Sequence, residues 1–213
     1  MSSHRTRRRF VKATGVAGVA ALAGCSGNGG DGGDGSDGSD GSDGGDGNRL
    51  TWHAGGTGGT YFPLSNEFKT VVEANTDFSL NVQSTGASVE NVGSLADGSA
   101  DFALIQNDIA SFAKNGTGID AFEDEPIESL QGVATLYPET ITLVTLADSG
   151  ISSVSDLSGA TVNTGDLGSG TQVNANQILE SLGISDYNEQ NAGFSQASEQ
   201  LANGDIDAAF VVG

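Results

Sequence analysis

The chain has 213 residues and is strongly acidic, with 28 Asp and Glu against 8 Lys and Arg and a formal net charge of −20. This balance argues against nucleic-acid binding, because affinity for a phosphate backbone depends on Lys and Arg side chains. Cys25 has no second cysteine with which to form an intrachain disulfide.

Residues 1–24 have the features of a twin-arginine export signal. Residues 6–12 include the arginine cluster Arg7-Arg8-Arg9, and an apolar stretch of Ala, Gly, Val and Leu follows over residues 13–24. That stretch is too short to cross a bilayer, which takes roughly 20 apolar residues. We therefore expect a signal peptide over residues 1–24 and export by the twin-arginine route.

Leu22-Ala23-Gly24-Cys25 matches a lipobox, after which a signal peptidase cuts so that lipid can be attached to the cysteine thiol. We expect lipidation at Cys25 and a mature chain held on the outer face of the cytoplasmic membrane. The alternative is a buried core cysteine behind an incidental basic tail. Three signals in the right order at the right spacing favour the lipid anchor.

Residues 25–48 comprise this cysteine and a tract that is almost only Gly, Asp and Ser. No core can form from that composition, so the tract predicts a disordered tether with an end-to-end distance on the order of 25 Å. Its aspartates also suggest calcium, but the large apolar residues of calcium-binding nonapeptide repeats are absent from the tract. The aspartates recur every third residue at Asp31, Asp34, Asp37, Asp40, Asp43 and Asp46.

The mature chain would be more acidic still, because five of the eight basic residues lie in the signal peptide. Arg49, Lys69 and Lys114 remain against all 28 acidic residues, a net charge of 3 − 28 = −25. Such self-repulsion opposes compaction in dilute buffer and is screened at molar salt. The composition is typical of a halophile's surface protein, and we expect a haloarchaeal-like lipoprotein.

From residue 49 onward, short apolar runs alternate with helical patterns. Strands are predicted over residues 50–54, 78–82 and 102–105, and helices over residues 61–74, 88–97 and 109–114. This order predicts an α/β fold with a mostly parallel sheet flanked by helices, which we assign to a first lobe over residues 49–147.

A second α/β unit is predicted further along the chain. It is preceded by predicted strands over 130–136 and 140–146, a crossover at 148–151 and one helical turn at 154–157. The unit itself is predicted to comprise a strand over 160–163, helices over 171–182 and 195–201, and a strand over 206–212. We assign residues 148–213 to an incomplete second lobe.

The turns between strands and helices are the candidate binding site. Parallel strands bring such turns to one edge of a sheet, where each helix N-terminus offers unpaired backbone N–H groups to an anion. The alternative for any one turn is that its hydroxyl only caps a helix and its glycines only shape the loop. The candidate residues are Thr57, Gly58, Gly59, Thr60, Tyr61, Thr85, Gly86, Ser88, Gln106, Asn107, Asp108, Ser169, Gly170 and Thr171.

Enzyme chemistry finds little support in this inventory. No Lys follows the glycine-rich turn at 55–60, as a phosphate-binding loop would require, and the dinucleotide fingerprint spacing is absent. His53 lies in a strand pattern with no evident nucleophile beside it, so we interpret it as structural. We predict no catalytic residue, no metal site and no cofactor. Asn115-Gly116-Thr117 is a glycosylation sequon, which predicts a glycan at Asn115.

Motifs in chain order resemble those of the solute receptors of TRAP transporters of the TAXI class, which have the type II periplasmic-binding-protein fold. The resemblance covers nearly everything after the tether and includes the turns named above. Its further motifs are Leu136-Tyr137-Pro138-Glu139, Asp148-Ser149-Gly150-Ile151, Asp156-Leu157-Ser158-Gly159 and Gly204-Asp205-Ile206-Asp207-Ala208.

The resemblance implies an extracytoplasmic receptor that closes two lobes over a small carboxylate, such as an amino acid or organic acid. It would deliver this ligand to the membrane permease subunits of a TRAP transporter without chemical turnover. Tyr137 joins the candidate ligand-binding residues on the same ground. A ligand-sensing surface domain coupled to a signalling partner is the alternative function, and a tethered surface enzyme is a further one.

Two departures from the family pattern bear on the site. Family members run further, so we expect this chain to be truncated at its C-terminal end. The other major class of TRAP receptors holds its carboxylate with an arginine, whereas Arg49 precedes the first predicted strand. Neutralisation would then come from helix N-termini and hydroxyls, from a bound cation, or from residues beyond Gly213.

Overall fold

The computed structural model describes residues 48–212. The predicted signal peptide, the lipidation site at Cys25 and the tether up to residue 47 lie outside the described residues. Within residues 48–212, no helix is long and apolar enough to span a membrane.

Three parallel strands form the first sheet, in the order β2-β1-β3. They are β1 (Arg49–His53), β2 (Ser79–Gln83) and β3 (Phe102–Ala103), and helices α1 (Tyr61–Asn75), α2 (Ser88–Asp97) and α3 (Asn107–Asn115) follow them in turn. The predicted β-α-β-α-β order is therefore confirmed.

The first half of the chain has its core beneath helices α2 and α3. Val92, Ile109 and Ala113 are completely buried there and pack with Phe122. Trp52 of β1 contacts two other aromatic rings: it is tilted against Phe68, with centroids 5.4 Å apart, and stacked on Phe102, with centroids 5.8 Å apart. These ring contacts join α1 to β1 and β3.

Four strands form the second sheet, in the order β4-β7-β5-β6. The strands β5 (Thr161–Asn163), β6 (Asn188–Gln190) and β7 (Ala208–Val212) are parallel, and β4 (Ile141–Thr145) pairs antiparallel with β7. A 3-10 turn (Val154–Leu157) and helices α4 (Gly170–Ser181) and α5 (Phe194–Asn203) connect them.

The core of this half combines the 3-10 turn, the sheet and α4. Leu157, Val162, Leu179 and Phe210 are buried together there. The predicted α/β class, with mostly parallel sheets flanked by helices, is confirmed. The lobe boundary proposed at 147/148 stays a prediction; β4, which precedes that boundary, pairs with β7 of the second sheet.

The prediction of a strand over residues 130–136 is wrong. Its apolar residues gave a strand pattern, but Val133 is 81% exposed, Leu136 is 43% exposed, and no described strand pairs with the segment. An open groove separates residues 129–139 from β3 and is lined from both sides. An extended segment without a hydrogen-bonding neighbour does not form a ladder.

The remaining differences are small. Strand β3 is two residues shorter than predicted, although Leu104 N still donates to His53 O at 3.0 Å. Strand β6 was not predicted, because Asn188-Glu189-Gln190 is polar and all three residues are exposed. Hydrophobic periodicity carries no signal for such an edge strand.

Candidate functional site

A cavity of about 450 Å³ lies between the turns of the two halves of the chain, the first half being the part that contains the first sheet and the second half the part that contains the second sheet. The first half contributes the turn after β1, residues 55–60, and the turn after β2, residues 84–87. The second half contributes the turn after β5 and the N-terminus of α5, at residues 193–196. Because both halves supply their strand-to-helix turns, the cavity sits where helix N-termini converge.

The two halves touch each other around this cavity. Val89 N at the start of α2 donates to Gly168 O at 3.0 Å, and Asn174 Nδ2 of α4 donates to Asp108 Oδ2 at 2.5 Å. Gly58 is closer still to α5, because a Cβ added there would lie 2.1 Å from Ser195 Oγ and 3.0 Å from Ser195 N. Glycine is therefore required at 58 for the halves to meet as they do.

The side chain of Asn91 joins the ends of two strands beneath the cavity. It is completely buried, and its Nδ2 donates to Ala54 O at 2.6 Å and to Leu104 O at 2.8 Å. Its Oδ1 accepts from Thr85 Oγ1 at 2.7 Å. One amide thus satisfies the carbonyls at the ends of β1 and β3 and holds the turn after β2.

Ala87, in the turn after β2, has a backbone conformation that L-residues rarely adopt, with φ 73° and ψ −139°. Its N–H donates to Thr85 Oγ1 at 3.1 Å, and its carbonyl accepts from Asn91 N at 2.8 Å. Such strain persists only where neighbouring contacts hold it, and it is frequent in ligand-binding turns. Ala87 itself lines the cavity.

Helix α4 begins at the cavity wall with a capped N-terminus. Ser169 Oγ accepts from Gln172 N at 3.0 Å, which satisfies one of the free amides of the first turn. Thr171 is 4% exposed and also lines the cavity. The first turn of α5 has no side-chain cap, and its residues Phe194, Ser195 and Gln196 face the same space.

Two tyrosines and a carboxylate form another wall. The rings of Tyr61 and Tyr137 meet edge to face with centroids 6.5 Å apart, and Tyr137 Oη donates to Glu139 Oε1 at 3.1 Å. Glu139 Oε2 is buried and has no hydrogen-bond partner among the described residues. Burial, and then the charge of Glu139, raise the pKa of both tyrosine hydroxyls well above the usual value near 10.

The part of the cavity wall formed by residues 48–212 contains acidic side chains and no basic one. Glu139 and Asp166 line it, whereas none of the three basic residues in the described range does. Arg49 opens β1, Lys69 pairs with Glu73, and Lys114 bonds to backbone carbonyls, Leu130 O among them at 3.2 Å. In residues 48–212, no cluster of three or more His, Cys, Asp or Glu side chains could hold a metal ion.

The structure brings most of the predicted site residues together. Ten of them line the cavity: Thr57, Gly58, Gly59, Thr60, Tyr61, Thr85, Gly86, Tyr137, Ser169 and Thr171. The other five, Ser88, Gln106, Asn107, Asp108 and Gly170, do not line it.

The five that lie elsewhere connect elements or face the open groove. Ser88 Oγ accepts from Gln106 N at 3.1 Å, and a Cβ on Gly170 would fall 1.6 Å from Gln106 Oε1. Gln106, Asn107 and Asp108 all border the groove. His53 is 8% exposed in β1 and does not line the cavity. Asn115 is exposed, so its glycosylation remains a prediction.

Sequence reasoning missed several cavity residues. Glu139 lies two positions after Tyr137 in the motif Leu136-Tyr137-Pro138-Glu139, but the motif alone does not indicate that this carboxylate lines the cavity. Asp166 lies in the predicted turn before α4, but an acidic side chain is not expected to bind an anion and so was not a candidate residue. Nothing local to the sequence marks Phe194, Ser195 and Gln196, which reach the cavity only because the two halves meet.

Solved structures of solute-binding proteins share this fold. The alkanesulfonate-binding protein SsuA from Xanthomonas axonopodis pv. citri, bound to MOPS, is 20% identical with a TM-score of 0.53 over 77% of this chain and 54% of SsuA. Lactococcal OpuAC, in its closed form with glycine betaine, is 12% identical with a TM-score of 0.54 over 77% of this chain and 64% of OpuAC.

This chain thus spans about half the length of SsuA and somewhat more of OpuAC. The likeness identifies the fold as the type II fold of periplasmic solute-binding proteins. The family comparison covers most of the chain, since residues 53–213 match the model of the NMT1-like family. The chain therefore belongs to the NMT1-like family.

Proposed function

We propose that this protein is the extracytoplasmic solute receptor of a TRAP transporter of the TAXI class. It closes two lobes over a small carboxylate and delivers it to the membrane permease subunits, without catalysing a reaction. The observation that carries this proposal is the 450 Å³ cavity, which is lined from both halves of the chain by strand-to-helix turns.

Backbone amides are the groups that suit a carboxylate in this cavity. The first turns of α1, α4 and α5 all reach its wall, at Tyr61, Thr171 and Ser195. A helix end contributes roughly 0.3–1 kcal/mol to binding an anion at an exposed site and up to about 2 kcal/mol when partly buried. Several such ends acting together would replace an arginine, which residues 48–212 do not supply to the cavity wall.

The route to the membrane follows from the N-terminal sequence. We propose that the chain is exported by the twin-arginine route, cut before Cys25 and anchored by lipid, with residues 25–48 as a spacer. A permease in the same membrane would then meet a receptor that is tethered to it. The acidic composition supports a saline exterior, where molar salt screens repulsion between the protein and an anionic solute.

Calorimetry on the full chain in about 2 M KCl tests the site, with L-amino acids and small mono- and dicarboxylates as probes. We expect Gly58→Leu to weaken binding at least about tenfold, because its side chain would collide with Ser195 and hold the halves apart. Thr171→Val should weaken binding as well, since it removes a buried hydroxyl from the wall.

Gly93→Leu is the matched control, because Gly93 is exposed in α2 and an added Cβ there meets nothing within 4 Å. It should bind like the unmodified chain. Circular dichroism would establish that all three variants are folded. Unchanged affinity in both Gly58→Leu and Thr171→Val would show that these turns do not form the binding site.

A further inference from the structure

We propose that the solute also carries a cationic nitrogen, which lies against Glu139 beside the rings of Tyr61 and Tyr137. This inference rests on the proposed solute-binding function and narrows its ligand class. The solute would be a zwitterion of the amino-acid type, with its carboxylate at the helix N-termini and its ammonium group at Glu139. Organic acids without a cationic group would bind poorly.

The bonding of Glu139 is the first reason. Its side chain is half-buried, Oε1 accepts from Tyr137 Oη at 3.1 Å, and Oε2 is buried without a partner among the described residues. A carboxylate removed from water normally acquires a cation or several donors, because its desolvation is otherwise not offset. A ligand ammonium group in the adjoining cavity, met by a small rotation of the carboxylate, would supply that charge.

The placement of the basic residues is the second reason. Among the described residues, the side chains of Arg49, Lys69 and Lys114 are all engaged or located away from the cavity wall. Asp166 adds a further carboxylate to that wall, with Oδ1 accepting from Leu167 N at 3.0 Å. In the part of the wall that residues 48–212 form, a dianionic solute would therefore meet two negative side chains and no positive one.

The aromatic wall is the third reason. A cation is attracted to the face of an aromatic ring within about 6 Å of its centroid. Tyr61 and Tyr137 present two rings at the cavity, held edge to face. The charge of Glu139 and the two tyrosine rings that line the cavity beside it thus favour the same class of group.

Isothermal titration calorimetry on the full chain in about 2 M KCl tests this inference. Matched probe pairs differ only at the nitrogen: L-alanine with L-lactate, L-leucine with its 2-hydroxy analogue, L-phenylalanine with L-phenyllactate, and L-glutamate with L-2-hydroxyglutarate. We expect the amino acid of the pair that fits to bind at least about tenfold more tightly than its hydroxy acid. The Glu139→Gln variant should lose most of that preference.

Glu123→Gln is the matched control, because Glu123 is exposed and the substitution makes the same change in net charge. It should retain the preference. Hydroxy acids that bind the unmodified chain as tightly as amino acids would overturn the cation site and leave the carboxylate receptor standing. Failure of every probe to bind would instead overturn the proposed function and this inference with it. The comparison on the unmodified chain holds even if Glu139→Gln does not fold.

Discussion

The environment of each tyrosine gives this protein a measurable signature at the residue scale. Burial is the main cause that raises the pKa of Tyr61, Tyr137 and Tyr187, and neighbouring glutamates raise it further. These are all three tyrosines of the chain. In the folded protein, the neutral phenol is therefore favoured at all three tyrosines.

At the pH near 10 where free tyrosine is half ionised, we expect less tyrosinate absorbance from the folded protein than from the unfolded chain, with Tyr61 and Tyr137 remaining neutral. Because the folded pKa values are raised, this contribution to stability is fully present below about pH 10 and is lost as pH rises further. Tyrosinate should therefore appear together with unfolding. Ultraviolet titration followed in parallel by circular dichroism measures both.

The guanidinium-unfolded chain is the reference for this titration and should ionise near pH 10. A native spectrum in which two or more of the three tyrosines ionise near that pH would contradict the buried tyrosine wall of the cavity, because Tyr187 lies outside that wall. Such a result would also weaken the assignment of Glu139, because its charge is a shared cause of the raised pKa of Tyr61 and Tyr137.

At the scale of elements, local patterns were sufficient where apolar residues recur at a regular spacing along the chain. Helix α2 was predicted with its observed bounds, and β1, β2 and α1 to within one residue at each end. The second sheet follows the same rule, since β5 and β7 were both predicted within two residues. Apolar residues are buried in β2, α2, β5 and β7, whereas those of α1 and β1 are only half-buried or exposed although they recur at the spacing that hydrophobic periodicity detects.

Where the prediction failed, the missing information was non-local. The apolar run at 130–136 had the composition of a strand, but a strand also needs a neighbour, and none of the described strands lies beside it. Strand β6 has a neighbour and no apolar face. The candidate site shows the same division, because residues in the predicted turns were found and those of α5 were not.

Asn91 couples these elements and should be expensive to replace. Asn91→Ala would remove the side-chain donor of Leu104 O and the closer of the two side-chain donors of Ala54 O, which keeps Thr85 Oγ1 at 3.3 Å, and would open a void in a fully buried position. We expect the free energy of unfolding to fall by about 3 kcal/mol. Urea unfolding in about 2 M KCl measures this change.

The matched control is Asn75→Ala, which removes an exposed amide that bonds to Val71 O within α1. It should change stability by no more than about 0.5 kcal/mol. If Asn91→Ala were equally mild, the strand ends would be held by something other than this amide. The description of Asn91 as the link between β1, β3 and the turn after β2 would then be wrong.

At the scale of the whole molecule, the dominant quantity is charge. Among the described residues the side chains form one salt bridge, between Lys69 and Glu73, so nearly all the carboxylates lack a cationic partner. Their mutual repulsion acts over a screening length of about 3 Å in 1 M salt and about 30 Å in 0.01 M salt. When the salt concentration is lowered, the surface carboxylates therefore repel one another over longer distances, and this repulsion opposes compaction.

We expect the fold to loosen as KCl is lowered from about 2 M to about 0.01 M, with a falling thermal midpoint and then a loss of helical circular dichroism.

A triple variant, Glu123→Gln, Glu125→Gln and Glu128→Gln, should need less salt for the same midpoint, because it removes three exposed neighbouring charges. Serine-to-alanine changes at exposed Ser155, Ser181 and Ser198 provide a control of equal number without a change in charge. A spectrum and midpoint that do not respond to salt would contradict the halophilic interpretation. If the triple variant shifted no more than the serine control, the salt response would have to come from ion binding or hydration rather than from screened repulsion.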